Sequence, residues 1–87
     1  VSVNNNASLT IKTGTKIFMH PGVSLITENG GKLIANGNST DKIEFKPFDE
    51  EQAWNMIELK SGGNRFTNCI INGGTNNIYI KSKDNIF

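Results

Sequence analysis

No disulfide can form within this chain, because Cys69 is its only cysteine. Long hydrophobic runs are also missing. No stretch approaches the roughly 18 apolar residues of a membrane-spanning helix, and no signal peptide is visible. Neither sign of charge dominates: nine basic and eight acidic residues leave a net +1. That balance gives no long-range attraction to nucleic acid or to an anionic membrane, so neither is expected as a partner. The excess of Ala, Leu, Glu and Lys that marks a helical protein is absent, and no segment of 10 to 15 residues shows a helical period. Chemistry-bearing motifs are sparse as well. There is no nucleophile elbow, no phosphate-binding glycine loop and no Cys/His spacing suited to zinc. No catalytic residue, metal site or cofactor is expected.

What the chain does contain is Asn, Gly, Thr and Ser in quantity, a mixture that favours short strands and frequent turns. Its 87 residues allow one small domain. Within them a repeat is visible. Ile57, Lys60, Ser61, Asn64 and Phe66 recur twenty-one positions later as Ile78, Lys81, Ser82, Asn85 and Phe87. Asn55 and Leu59 recur as Asn76 and Ile80 at the same offset. A looser echo relates Leu9-Thr10-Ile11, Gly14 and Lys16-Ile17 to Leu33-Ile34-Ala35, Gly37 and Lys42-Ile43, with an offset growing from 24 to 26. Val1 and Val3 fit Val23 and Leu25 at similar spacing.

A unit of this size cannot bury its apolar side alone, whereas stacked copies share a continuous core. The spacing therefore predicts an all-β right-handed parallel β-helix of about four coils, each of 21 to 26 residues, spanning 1–87 as a single segment. Leu9/Ile11, Leu33/Ala35, Ile57/Leu59 and Ile78/Ile80 are expected to form one inward stack. Ile17/Met19, Ile43/Phe45 and Cys69/Ile71 are expected to form a second. Asn64 and Asn85 fall at one turn, where stacked amides can bond from coil to coil; ordinary turn preference is the rival account, and the 21-residue spacing favours the ladder. The rival architecture is an antiparallel sandwich, since Asn29-Gly30, Asn36-Gly37 and Asn72-Gly73 are all good hairpin turns. Hairpins do not demand residue-by-residue repetition at a fixed offset, which favours the solenoid.

The last coil stops at Phe87, the equivalent of Phe66, with no polar cap after it. The chain is therefore expected to be truncated at its carboxyl end, as a fragment of a longer solenoid, or to stack on another copy through that open coil. Its first residue, Val1, suggests a lost upstream segment in the same way.

The segments L-T-I-K-T-G-T-K-I-F (9–18), G-G-K-L-I-A-N-G (30–37) and K-I-E-F (42–45), with Trp54 before the next strand, resemble the amino-terminal coils of bacterial right-handed parallel β-helix repeat proteins. N-R-F-T-N-C-I-I-N-G-G-T-N-N-I-Y-I (64–80) is similar to the generic repeat of the pectate-lyase-like superfamily. The small glycines that often follow that Trp in the family are replaced here by Asn55 and Met56. The resemblance implies an extracytoplasmic protein, secreted or at the cell surface and lipid-anchored in some members. It specifies architecture rather than activity. Two functions follow from it: a non-catalytic structural or carbohydrate-contacting module, or the amino-terminal portion of a polysaccharide lyase or glycoside hydrolase whose active-site coils are absent.

Individual residues give little chemistry. Asp49, Glu50 and Glu51 lie together in one loop, which fits a short helical turn capped by Asp49 with Gln52 returning the bond; calcium would need six to eight oxygens. Glu44 and Glu58 point outward from different strand stacks, away from the spacing glycoside hydrolysis requires. His20 precedes Pro21-Gly22 and reads as an exposed turn residue, Cys69 as a small core residue. Asn6 and Asn38 match glycosylation acceptors, a coincidence in an Asn-rich chain. The candidate ligand surface comprises Trp54, Glu58, Lys60, Tyr79 and Lys81, with Lys12 in the same outward column as the other lysines. A polysaccharide is the candidate partner of that surface, and a second copy the candidate partner of the open carboxyl-terminal coil. The competing accounts are lysines that discourage edge pairing and a Trp that packs down a loop.

Overall fold

The computed structural model describes residues 1–87. It contains ten strands and no helix: β1 (Ser2–Val3), β2 (Ser8–Ile11), β3 (Lys16–Met19), β4 (Ser24–Thr27), β5 (Lys32–Asn36), β6 (Ile43–Pro47), β7 (Trp54–Leu59), β8 (Arg65–Thr67), β9 (Cys69–Ile71) and β10 (Gly74–Ile80). They form three sheets, ordered β1-β4-β7-β10, β2-β5-β8 and β3-β6-β9. Every pairing is parallel and joins strands three apart in chain order. The chain thus visits the three sheets in turn and repeats, in a β-helix-like stack of three full circuits with a fourth begun by β10. The shortest extent, 17 Å, fits four strands stacked at about 4.8 Å. No hairpin is present. The Asn-Gly pairs sit at coil corners or strand ends instead.

The twenty-one-residue repeat is a true register. Met56, Ile57, Glu58 and Leu59 lie opposite Asn77, Ile78, Tyr79 and Ile80. Asn55 and Asn76 fall at a bulge, because Gly74 pairs with Trp54 and the register slips by one residue before Asn77. The pairing of Leu9 with Leu33 and Ile11 with Ala35 also holds.

Other expected alignments are corrected. Ile57 and Leu59 stack on Leu25 and Thr27, not on Leu33 and Ala35, so the first expected inward stack merges two different sheets. Ile17 lies opposite Phe45 rather than Ile43. The reason is a corner loop of greater length: the Gly14 N–H, expected opposite Gly37, donates to Asp41 O at 3.0 Å. Asn38 closes that loop, its Oδ1 accepting from the Thr40 and Asp41 N–H groups. Val3 faces Thr27, two positions beyond the expected Leu25. The coil between β4 and β7 is thirty-two residues long, judged by Leu25 opposite Ile57, longer than the expected maximum of 26. The extra length is shared by the Asn38 corner, across which the offset grows from 24 to 28, and the loop after Pro47, across which it reaches 32. There the expected capped helical turn is replaced by tight turns. Asp49 Oδ1 accepts from the Glu51 N–H at 3.0 Å, and the Gln52 backbone N–H, not its side chain, returns to Asp49 O.

The core runs up the middle of the stack. Leu33, Ala35, Ile43, Phe45, Trp54, Ile57 and Leu59 are fully buried. Alternation sends Leu33 and Ala35, Ile43 and Phe45, and Ile57 and Leu59 inward; Trp54, three residues before Ile57, breaks that alternation at the start of β7. Inward residues of the outermost coils have a neighbour on one side only. Leu9 and Ile80, both expected inside, are accordingly 38% and 47% exposed. Cys69 is partly buried against the core.

At the corner after β7 an amide ladder forms. The Asn64 Nδ2 donates to Asn85 Oδ1 at 2.8 Å and to Ser61 O at 2.7 Å, while its Oδ1 accepts the Leu33 N–H at 2.8 Å. Asn64 is buried, and the ladder satisfies it from the coils on both sides. Phe66 and Phe87, the other members of the repeat, stack with centroids 5.6 Å apart and planes 11° from parallel.

Candidate functional site

The strand period of two turns Ile26, Glu58 and Tyr79 outward from successive coils of the β1-β4-β7-β10 sheet, in one column. Lys60 and Lys81 follow the ends of β7 and β10, two residues further along the same face. Three of the expected surface residues meet. Lys81 Nζ lies 2.8 Å from Glu58 Oε2, and the same ammonium sits 4.9 Å from the Tyr79 ring centroid. The hydrogen bond from Lys81 holds the Glu58 carboxyl below its ordinary value, with the charges of Lys81 and Lys60 adding to the effect. Lys81 is correspondingly raised, first by its hydrogen bond to Glu58 and then by the carboxylate charge. Tyr79 is 47% exposed, so its ring offers an open apolar surface beside a fixed ion pair.

Trp54 does not join them. It is fully buried, with Nε1 donating to Asn72 O at 2.8 Å and the backbone of Gly74 packed against the indole. As a surface ligand contact it is excluded. Its role is to anchor the coil that follows the long loop. Lys12 follows β2 in a different sheet, so it is not in the column with Lys60 and Lys81.

A second outward surface, on the β3-β6-β9 sheet, was not anticipated. Phe18 and Phe48 are 53% and 61% exposed. His20, exposed at the end of β3 as expected, stacks on Phe48 with centroids 4.3 Å apart and planes 15° from parallel. Lys46 lies 5.8 Å from the Phe18 centroid, and Glu44 sits between Lys16 (3.8 Å) and Lys46 (3.9 Å). The signal was present in K-I-F-M-H: with Ile17 and Met19 inward, Phe18 and His20 must face out.

Two recesses open into the stack. One of about 450 Å³ is lined by inward side chains of the first coils, including Leu9, Ile11, Ile17 and Leu25, and carries no carboxylate or lysine. The other, about 370 Å³, lies among Phe66, Cys69, Ile71 and Phe87. Burial raises the Cys69 thiol above its ordinary value, partly opposed by a hydrogen bond with the Thr67 backbone. A thiol so placed is mostly protonated at neutral pH and is a poor nucleophile.

No group of three or more His, Cys, Asp or Glu side chains converges closely enough to hold a metal ion. Glu44 and Glu58 lie on different sheets. Glu58, already bonded to an ammonium, is a weak general base. The arrangement can hold a ligand by ring stacking and charge-assisted hydrogen bonds, and it presents no activated nucleophile. Comparison with family models, curated proteins and solved structures yields no match.

Proposed function

We propose that this chain is a right-handed parallel β-helix module of a secreted or cell-surface bacterial protein, with a structural and carbohydrate-contacting role rather than a catalytic one. Resemblance to pectate-lyase-like repeats supports the family and the extracytoplasmic setting. The observation that carries the binding role is the outward grouping of Tyr79, Lys81 and Glu58 on adjacent strands. An exposed aromatic ring can stack on the apolar face of a sugar, while the ammonium and carboxylate serve hydroxyl or carboxylate groups beside it. Lys60 extends the same face. Adjacent strands about 4.8 Å apart set the Glu58 carboxylate beside the Tyr79 ring, within reach of one sugar unit.

Affinity electrophoresis through gels containing a neutral or an acidic soluble polysaccharide tests this. The intact chain is expected to be retarded by at least one of them. Tyr79→Ala should weaken retention about fivefold, equivalent to about 1 kcal/mol for one stacking contact. Equal mobility in every gel, or full retention by Tyr79→Ala, would refute the reading. Release of reducing ends from either polymer would point to an enzyme instead.

A further inference from the structure

The three Asn-Gly pairs are chemically equivalent in sequence, yet the fold treats them differently. Spontaneous deamidation begins when the backbone nitrogen of the glycine attacks the Asn Cγ. The Cγ–Nδ2 bond breaks, ammonia leaves with the amide proton, and a succinimide ring remains. Water then opens the ring at either carbonyl to give aspartate or isoaspartate. The reaction needs a glycine N–H and an Asn side chain that are both free to move toward each other.

At Asn36-Gly37 neither is free. The Gly37 N–H donates to Thr67 O at 2.8 Å, and Asn36 Oδ1 accepts from the Thr67 hydroxyl at 3.2 Å. At Asn29-Gly30 and Asn72-Gly73 neither glycine donates its N–H to any backbone group of the chain. Both asparagines are exposed, and neither side chain is engaged in a hydrogen bond. One contact holds each of these carbonyls: the Asn6 N–H to Asn29 O at 3.1 Å, and the Trp54 Nε1 to Asn72 O at 2.8 Å.

The geometry points to Asn29 and Asn72 as sites of spontaneous succinimide formation in the folded protein, with Asn36 shielded. At Asn72 the product has a structural readout. Isoaspartate inserts a methylene into the main chain at the residue whose carbonyl fixes the buried Trp54 indole. Modification there loosens the anchor of β7.

The test is convenient because tryptic cleavage after Lys16, Lys32, Lys42, Arg65 and Lys81 places the three pairs on separate peptides. The intact folded chain is aged at physiological pH and temperature, digested, and its Asp and isoAsp peptides are quantified by mass spectrometry. A urea-unfolded sample is aged in parallel. Two hydrogen bonds to be broken before attack predict conversion at Asn36 slower than at Asn29 and Asn72 by a factor of about ten or more in the folded chain. In urea the three rates should converge. Ageing should also shift Trp54 fluorescence to the red in proportion to conversion at Asn72. The inference fails if folded Asn36 keeps pace with the other two. It fails equally if Asn29 and Asn72 stay intact over a period that fully converts the unfolded chain.

Discussion

Replacing Asn64 by Ala should remove the amide that ties three coils together. Asn64 is 1% exposed, and its side chain makes bonds to Leu33, Ser61 and Asn85. Truncation leaves the Leu33 N–H without its acceptor beside a fully buried side chain, a loss of about 1–3 kcal/mol for an orphaned donor. The two bonds donated by Nδ2 add about 0.5–1.5 kcal/mol each. Together these give a destabilisation of about 3 kcal/mol, a large fraction of the stability expected of a domain this small. Urea unfolding followed by circular dichroism measures it. With a slope of about 1 kcal/mol per molar, the midpoint should fall by about 3 M. Asn85→Ala removes the acceptor of the Asn64 N–H and Nδ2 and the bonds that Asn85 Nδ2 donates to Ser82, all at a more exposed coil; it should cost less, and the double variant should reveal coupling of about 1 kcal/mol. A loss below about 1 kcal/mol for Asn64→Ala, or strict additivity with Asn85→Ala, would show that the ladder is turn preference and nothing more.

Two further predictions concern the core and the ion pair. Trp54→Ala should destabilise by about 3–5 kcal/mol, since it empties a fully buried site and frees the Asn72 carbonyl; a loss under about 1 kcal/mol in the same assay would contradict the anchoring role. The Glu58–Lys81 pair should make thermal stability depend on pH at both extremes. Because the Glu58 carboxyl is held below its ordinary value, its contribution is complete above that value and lost as pH falls through the folded one. Because Lys81 is raised, its contribution is complete below the ordinary lysine value and lost as pH rises through the folded one. Melting curves of Glu58→Gln should lack both dependences; identical profiles for the variant and the parent would remove the pair from the account.

How much of the site was legible follows from where the chain has insertions. Glu58, Tyr79 and Lys81 could be placed together because β7 and β10 are separated by a coil whose single bulge lies at its far end, so an offset of 21 holds through all three positions. The exclusion of Trp54 was not legible. An aromatic beside a long loop reads the same whether it covers the loop or faces solvent, and its burial depends on Asn72 and Gly74 arriving from the next coil. The Phe18–His20–Phe48 surface needed the loop after Pro47 to fold back across β3, a contact between segments with no common repeat.

The sequence alone determined that strands stack in parallel with a period near two dozen residues, that Ile57 lies against Ile78, and that Asn64 and Phe66 continue into Asn85 and Phe87. Identical side chains at a constant offset can share one environment only if the coils superimpose. Only the tertiary structure decided which of three sheets each strand joins. An apolar–polar–apolar triplet looks alike in all three, because alternation reports a face and not an address. Corner loops of unequal length shift the offset from twenty-one to thirty-two without changing that pattern, so the assignment rests on backbone hydrogen bonds that no local signal encodes.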